Sequence, residues 1–290
     1  MPEKTTYTSF TQRISREYYN LTAAEKKVAD YVLAHRAEAQ NHSITELAAA
    51  SSVAEATVSR FARRLGFKGY NAFQLEMARS ATASSSSLSP LSGEVTDQDS
   101  FSEIIRKIYT ADLDAMKQTL ELIDETAIKQ AADIIEKADK VFCMGQGASM
   151  ILAQEAAHLF TTTQCKYFAV TDNHTQAITT ATMMEKDAIL YFSYSGATTD
   201  LMHTLSIARN RGVRVILITR YPNAPGVPLA DVVLLCGSNE SPLQLGSVAA
   251  RIAQMYLLDV LFSEVCLRHL EEAREARMII ADAQAELHVE

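Results

Sequence analysis

The chain has 290 residues, 48% of them apolar, which is enough material for two domains with separate cores. No apolar run has the length of a membrane span and the N-terminus is polar, so we expect no anchor, no signal peptide and a cytoplasmic protein. The net charge of −8 is unevenly spread: residues 1–80 carry 11 Lys and Arg against 8 Asp and Glu, the remainder 16 against 27. A mildly basic front and an acidic back fit a small DNA-binding head on a larger body. The four cysteines, Cys143, Cys165, Cys236 and Cys266, form no C-x-x-C pair and read as small buried residues of a reduced protein.

Residues 1–80 read as helical throughout. Three hydroxyl-x-x-Glu patterns, Thr22…Glu25, Ser43…Glu46 and Ser52…Glu55, are expected to be capping boxes. The last two lie nine residues apart, so a short helix over 44–50 should turn into another beginning near 53, the spacing of a helix-turn-helix. In the second helix Val58, Phe61, Ala62 and Leu65 recur at helical spacing and should face the core. The opposite face carries Ala56, Arg60 and Arg63, flanked by Thr57, Ser59 and Arg64, before Gly66 ends the helix. Small residues at a helix start allow approach to base edges, and arginines reach guanine or phosphate. Ser52, at the start of that helix, and Lys68 and Tyr70, beyond its end, are candidate additional DNA contacts. The competing reading is a three-helix bundle with a solvated basic face.

Residues 81–100 fill with Ser, Pro and Gly and read as a linker. Beyond it we place one domain over 101–290, its core at about 130–265. Helical pattern runs from Phe101 to Ala138 with breaks. Apolar strands follow at Val141–Met144, Lys166–Val170, Ala188–Ser193, Val213–Thr219 and Asp231–Leu235, with helices between them at about 150–161, 175–184 and 199–210. Such alternation predicts an α/β domain with a five-stranded parallel sheet covered on both faces. An apolar helix over about 245–265 should pack on the sheet, and its residual apolar circumference should form a symmetric interface between two chains. The tail, 268–288, reads as helix.

Two turns carry candidate chemistry. After the third strand, Ser193-Tyr194-Ser195-Gly196-Ala197-Thr198-Thr199 joins hydroxyls and a glycine to a helix start, an arrangement suited to a phosphate. After the first strand comes Gly145-Gln146-Gly147-Ala148-Ser149. A dinucleotide fingerprint needs a third glycine at 150, where Met150 stands, so the nucleotide reading weakens and a glycine turn with one hydroxyl remains. For each turn the competing reading is a plain N-cap. His174 and Glu240 lie at the same rim of the sheet, as ligand contacts or as solvated loop residues. Neither a metal-ligand cluster nor a cofactor motif is recognisable, and we expect none bound.

Residues 22–73 resemble the N-terminal domain of RpiR-type (MurR/RpiR) bacterial regulators, through Ser43-Ile44-Thr45-Glu46-Leu47-Ala48, Glu55-Ala56-Thr57-Val58-Ser59-Arg60-Phe61 and Leu65-Gly66-Phe67-Lys68-Gly69-Tyr70. Residues 130–265 resemble the sugar isomerase (SIS) domain that follows in that family, through Gly145–Ser149, Ser193–Thr198 and Ser247-Val248-Ala249-Ala250-Arg251-Ile252-Ala253-Gln254. The resemblance implies a non-enzymatic regulator of sugar catabolism genes, a homodimer or homotetramer binding double-stranded operator DNA and a phosphorylated sugar. It assigns the phosphate to Ser193, Ser195, Gly196 and Thr198, with Ser149 as partner. The rival is a phosphosugar isomerase with a helical appendage, using Glu240 and His174 as acid and base.

Overall fold

The computed structural model describes residues 10–84, 95, 98–237 and 248–285, the side chains of Ala37 and of 81–84 excepted. The chain divides into two compact units, residues 1–114 with 239–249, and residues 115–238 with 250–290.

The first unit begins with six helices: α1 (Phe10–Glu17), α2 (Ala23–Ala34), α3 (Arg36–Ala39), α4 (Ile44–Ala50), α5 (Glu55–Arg64) and α6 (Tyr70–Ser84). Their apolar stripes close on one core: Phe10, Ile14, Val28, Val32, Leu47, Val58, Phe61 and Phe73 are buried. Phe73 sits edge-on to Phe61 at 5.6 Å and to Phe10 at 6.1 Å. Two of the three expected capping boxes form. Thr22 accepts from the Glu25 amide and Ser43 from the Glu46 amide, and each glutamate reaches back to its cap.

The third box does not form, because Ser52 ends α4 instead of starting α5. Its amide bonds the Ala49 carbonyl and the Val53 amide bonds the Ala48 carbonyl, a Schellman closure with Ser52 at φ +54°. Ala54 is the residue at the N-cap of α5, and the Glu55 carboxylate accepts from the Thr45 hydroxyl at 2.7 Å. The same closure ends α5, with Gly66 at φ +86° in the place of Ser52.

The helix α7 (Phe101–Leu122) leads to the second unit, whose further elements are α8 (Glu125–Lys137), β1 (Val141–Gly145), α9 (Ala148–Thr161), β2 (Tyr167–Val170), α10 (Asn173–Thr182), β3 (Ala188–Phe192), α11 (Thr199–Arg211), β4 (Arg214–Thr219), β5 (Val232–Leu235), α12 (Val248–Arg268) and α13 (Leu270–Ala285). The strands form one parallel sheet in the order β2-β1-β3-β4-β5. The register sets Gly145 of β1 beside Phe192 of β3, so both strands end together. On one face Met144, Ile189, Tyr191, Leu201 and Leu205 share a buried cluster. Elsewhere in the core Phe160 of α9 stacks on Tyr167 and meets Phe262 of α12 edge-on. Lys166 donates to the carbonyls of Ile135, Glu136 and Ala138, tying the β2 entry to the end of α8.

Coverage on both faces fails locally at the edge strand β2, where Phe168 is 42% exposed. Cys165, before this strand, is exposed, whereas the other three cysteines are buried as expected. A short 3-10 turn at Val227–Leu229, not anticipated, connects β4 to β5. The expected tail helix starts afresh at Leu270 rather than continuing α12. The linker lies largely outside the described residues. No described helix is long and apolar enough to cross a membrane.

Candidate functional sites

On α5, Ala56, Arg60 and Arg63 are exposed, opposite the buried Val58, Phe61 and Ala62. Ser59 is half-buried at the flank, and Lys68 is exposed beyond the helix. Thr57 is buried rather than flanking: its hydroxyl accepts from Arg60 Nη2 at 3.1 Å and orients that arginine. Arg64 is committed to the fold. Its Nε donates to the buried Glu25 carboxylate at 3.2 Å and its Nη1 to the Asn20 carbonyl. Burial would raise the Glu25 pKa, but the Thr22 amide and hydroxyl and Arg64 together hold it below the ordinary value. Tyr70 is buried too, and its hydroxyl donates to the His42 carbonyl at 2.7 Å. Burial, aided by the Glu46 charge, pushes its pKa up to about 12. A hydroxyl spent inside the bundle does not reach a phosphate, so Tyr70 leaves the set of DNA contacts. Ser52 remains exposed, in the turn before α5.

In the second unit the strand order decides where a ligand belongs. From β1 the chain winds outward to β2, and from β3 it winds the other way to β4 and β5. The crevice at the carboxyl ends of β1 and β3 is therefore the topological switch point, where open α/β sheets bind ligands. Both candidate turns open there. Gly145, at the end of β1, is buried, and its carbonyl accepts from Gln176. Gly147 is exposed at the N-cap of α9 with no described residue packed where a side chain would stand, and Ser149 lies half-buried in the first turn of that helix.

After β3 the hydroxyls first shape the turn. The Ser193 hydroxyl is buried and accepts from the Gly196 amide at 3.1 Å, and Ser195 Oγ accepts from the Ala197 amide at 3.4 Å. Thr198 caps α11 by accepting from the Leu201 amide. Gly196 holds φ +63°, and a Cβ there would stand 2.6 Å from the Ala224 Cβ and 2.8 Å from Thr219 Oγ1. Only glycine fits this bend. The turn is thus held rigid with the α11 N-terminus, and its positive potential, at the crevice.

His174 is exposed in the first turn of α10, beyond β2, and Glu240 lies outside the described residues. Sequence reasoning missed Gln176. It is fully buried, donates to the carbonyls of Gly145 and Val170, and accepts from the Tyr191 hydroxyl, so it fastens the ends of β1 and β2. Burial, aided by the Asp200 charge, raises the Tyr191 pKa. Gln146, in the first turn, buries its amide nitrogen with no hydrogen-bond partner among the described residues.

Comparison with known proteins also separates a front domain from a back one. Residues 8–84 match the helix-turn-helix domain of the rpiR family, and residues 134–264 match the SIS domain. An HTH-type transcriptional regulator of Haemophilus influenzae is 31% identical over 252 residues, covering 87% of this chain and 88% of its own. The chain belongs to the RpiR family. HexR, an HTH-type transcriptional regulator of Pseudomonas aeruginosa, is 29% identical over 275 residues, covering 91% of this RpiR-family chain and 94% of its own. The Vibrio vulnificus NanR protein, solved in complex with ManNAc-6P, shares the fold with a TM-score of 0.62 at 24% identity, covering 97% of this chain and 100% of its own. This RpiR-family protein is a transcriptional regulator with a helix-turn-helix at its front and a SIS domain behind.

Proposed function

We propose that this regulator controls sugar catabolism genes, binding double-stranded operator DNA through α4 and α5 and a phosphorylated sugar at the β1–β3 crevice. The observation that carries the ligand reading is the meeting of two glycine-and-hydroxyl turns at the switch point, one of them leading into the N-terminus of α11. Gly145, Gly147, Ser149, Ser193, Ser195, Gly196 and Thr198 form the cradle, Ser193 by shaping the turn. His174 and Glu240 are assigned to the sugar. That NanR was solved with a sugar phosphate on the same fold supports the ligand class. Arg60 and Arg63 lead the DNA contacts, with Ser52, Ala56, Ser59 and Lys68 around them. The head is residues 1–80, the linker 81–100 and the SIS domain 101–290, in a cytoplasmic homo-oligomer without catalytic turnover.

Mobility shift on an operator fragment tests the coupling. A phosphosugar should change wild-type operator affinity, a coupling of about 1–3 kcal/mol. Ser195→Asp, which puts a negative charge where the phosphate belongs, should bind DNA as the free wild type does and ignore the sugar. A Ser195→Asp protein that responds like wild type would place the cradle elsewhere. Conversion of aldose and ketose phosphates by the wild type would favour an isomerase.

A further inference from the structure

Arg60 and Arg63 stand on the exposed face of α5, one turn apart, but the fold treats them differently. Thr57 lies one turn before Arg60 and is 5% exposed, too buried to touch DNA itself. Its amide donates to the Ala54 carbonyl at 2.8 Å, and its branched side chain has few rotamers in a helix. The Thr57 hydroxyl is therefore a fixed acceptor, and it takes Nη2 of Arg60 at 3.1 Å. This bond uses one of the five N–H donors that a guanidinium carries in a flat fork. Ala56, one turn before Arg60 on the same exposed face, ends at its Cβ and leaves room for a base edge beside that fork. Arg63 falls in the last turn of α5.

The two arginines therefore suit different partners. A phosphate accepts from many directions, so a mobile side chain serves it well. A base edge accepts in one plane only, and a side chain that reads it gains from having its fork fixed before binding. In the major groove guanine presents two acceptors side by side, N7 and O6, which match a guanidinium fork. Residues nearer the N-terminus of a recognition helix are the ones that meet base edges, and Arg60 is nearer than Arg63. We propose that Arg60 reads a guanine of the operator, that Thr57 is the positioning residue holding its fork, and that Arg63 grips a phosphate. These roles rest on the reading of α5 as the helix that enters the operator. They go beyond it in naming the base, and in giving sequence discrimination to a threonine that does not touch DNA.

Full-length wild type and variants are compared by fluorescence anisotropy on a duplex that the wild type selects from a random-sequence pool. Copies of that duplex carry 7-deazaguanine, which lacks the N7 acceptor, in place of single guanines. At one guanine of the selected site the replacement should weaken wild type about tenfold and Arg60→Ala by less than about twofold. Thr57→Val, which keeps the shape and drops the hydroxyl, should retain only about threefold discrimination at that guanine, with wild-type affinity for unrelated duplex, and Thr57→Ser should restore the rest. Arg63→Ala should weaken selected and unrelated duplexes alike and lower the slope of affinity against salt by about one. Penalties that persist in full in Arg60→Ala at every guanine would overturn the guanine assignment. A folded Thr57→Val that discriminates as wild type does would overturn the role of Thr57, and Thr57→Ala carries the same test if the valine variant does not fold. A loss in Arg63→Ala confined to one base pair would overturn its phosphate role. Wild type that enriches no sequence from the pool would instead overturn α5 as an operator-reading helix.

Discussion

Three arginines within five positions of α5 have different fates, and their partners separate them. Arg60 and Arg63 point outward, the first steadied by the Thr57 hydroxyl, whereas Arg64 locks onto the buried Glu25. Arg60→Ala and Arg63→Ala should each weaken operator binding by roughly 1–3 kcal/mol where the arginine reads a base, with unchanged thermal unfolding. Arg64→Ala should lower the unfolding temperature instead, because it strands a buried carboxylate. Unchanged gel-shift affinity in both outward variants would refute the assignment. Helical periodicity revealed the exposed face but not the partner of Arg64, which lies 39 residues away. Ser52 shows a similar limit. Its spacing to Glu55 satisfies the capping-box rule, yet the backbone spends it on closing α4 at positive φ. Ser52→Gly should therefore stabilise the head by roughly 0.5–1 kcal/mol, read from the urea midpoint, because glycine adopts that conformation without steric cost. A destabilised variant would show that the serine side chain matters more than its backbone angle.

Among the elements, the strand-to-helix turns carry the proposed ligand site and the strands were the most legible part. Five apolar runs bounded by turn residues became five parallel strands, with ends displaced by a residue or so. Strand order was not legible, since it depends on pairings between distant segments, and it is the order that places Gly145 beside Phe192 and makes a crevice of two separate turns. Gln176 escaped notice for the same reason. A polar side chain in a helix reads as solvated until topology buries it. The Ser193–Thr198 turn makes a sharper demand. Gly196→Ala should destabilise the SIS domain by about 1–3 kcal/mol through backbone strain and the clash with Ala224, and should abolish phosphosugar binding. Normal binding by that variant would mean the turn is not the cradle.

At the scale of the whole molecule, the expected interface on α12 loses much of its basis. Leu257, Leu258, Leu261, Phe262 and Val265 are already buried, leaving Val248, Met255 and Leu267 as the exposed large apolar residues of that helix. The proposed homo-oligomer rests instead on the logic of operator recognition, in which paired heads read half-sites one helical turn apart. Light scattering of the full chain should give at least twice 31.9 kDa at micromolar concentration, and a monomeric mass would contradict the assembly. The central claim is that the crevice between β1 and β3 senses a sugar through its phosphate, and its most direct test is thermal unfolding of wild type and Ser195→Asp across matched pairs of phosphorylated and unphosphorylated sugars. At 100 times its dissociation constant a ligand stabilises by about 2.7 kcal/mol, so at least one phosphosugar should raise the wild-type midpoint clearly, while its unphosphorylated partner, and either sugar with Ser195→Asp, should not. Equal shifts from a sugar with and without its phosphate, or an undiminished shift in Ser195→Asp, would contradict the account.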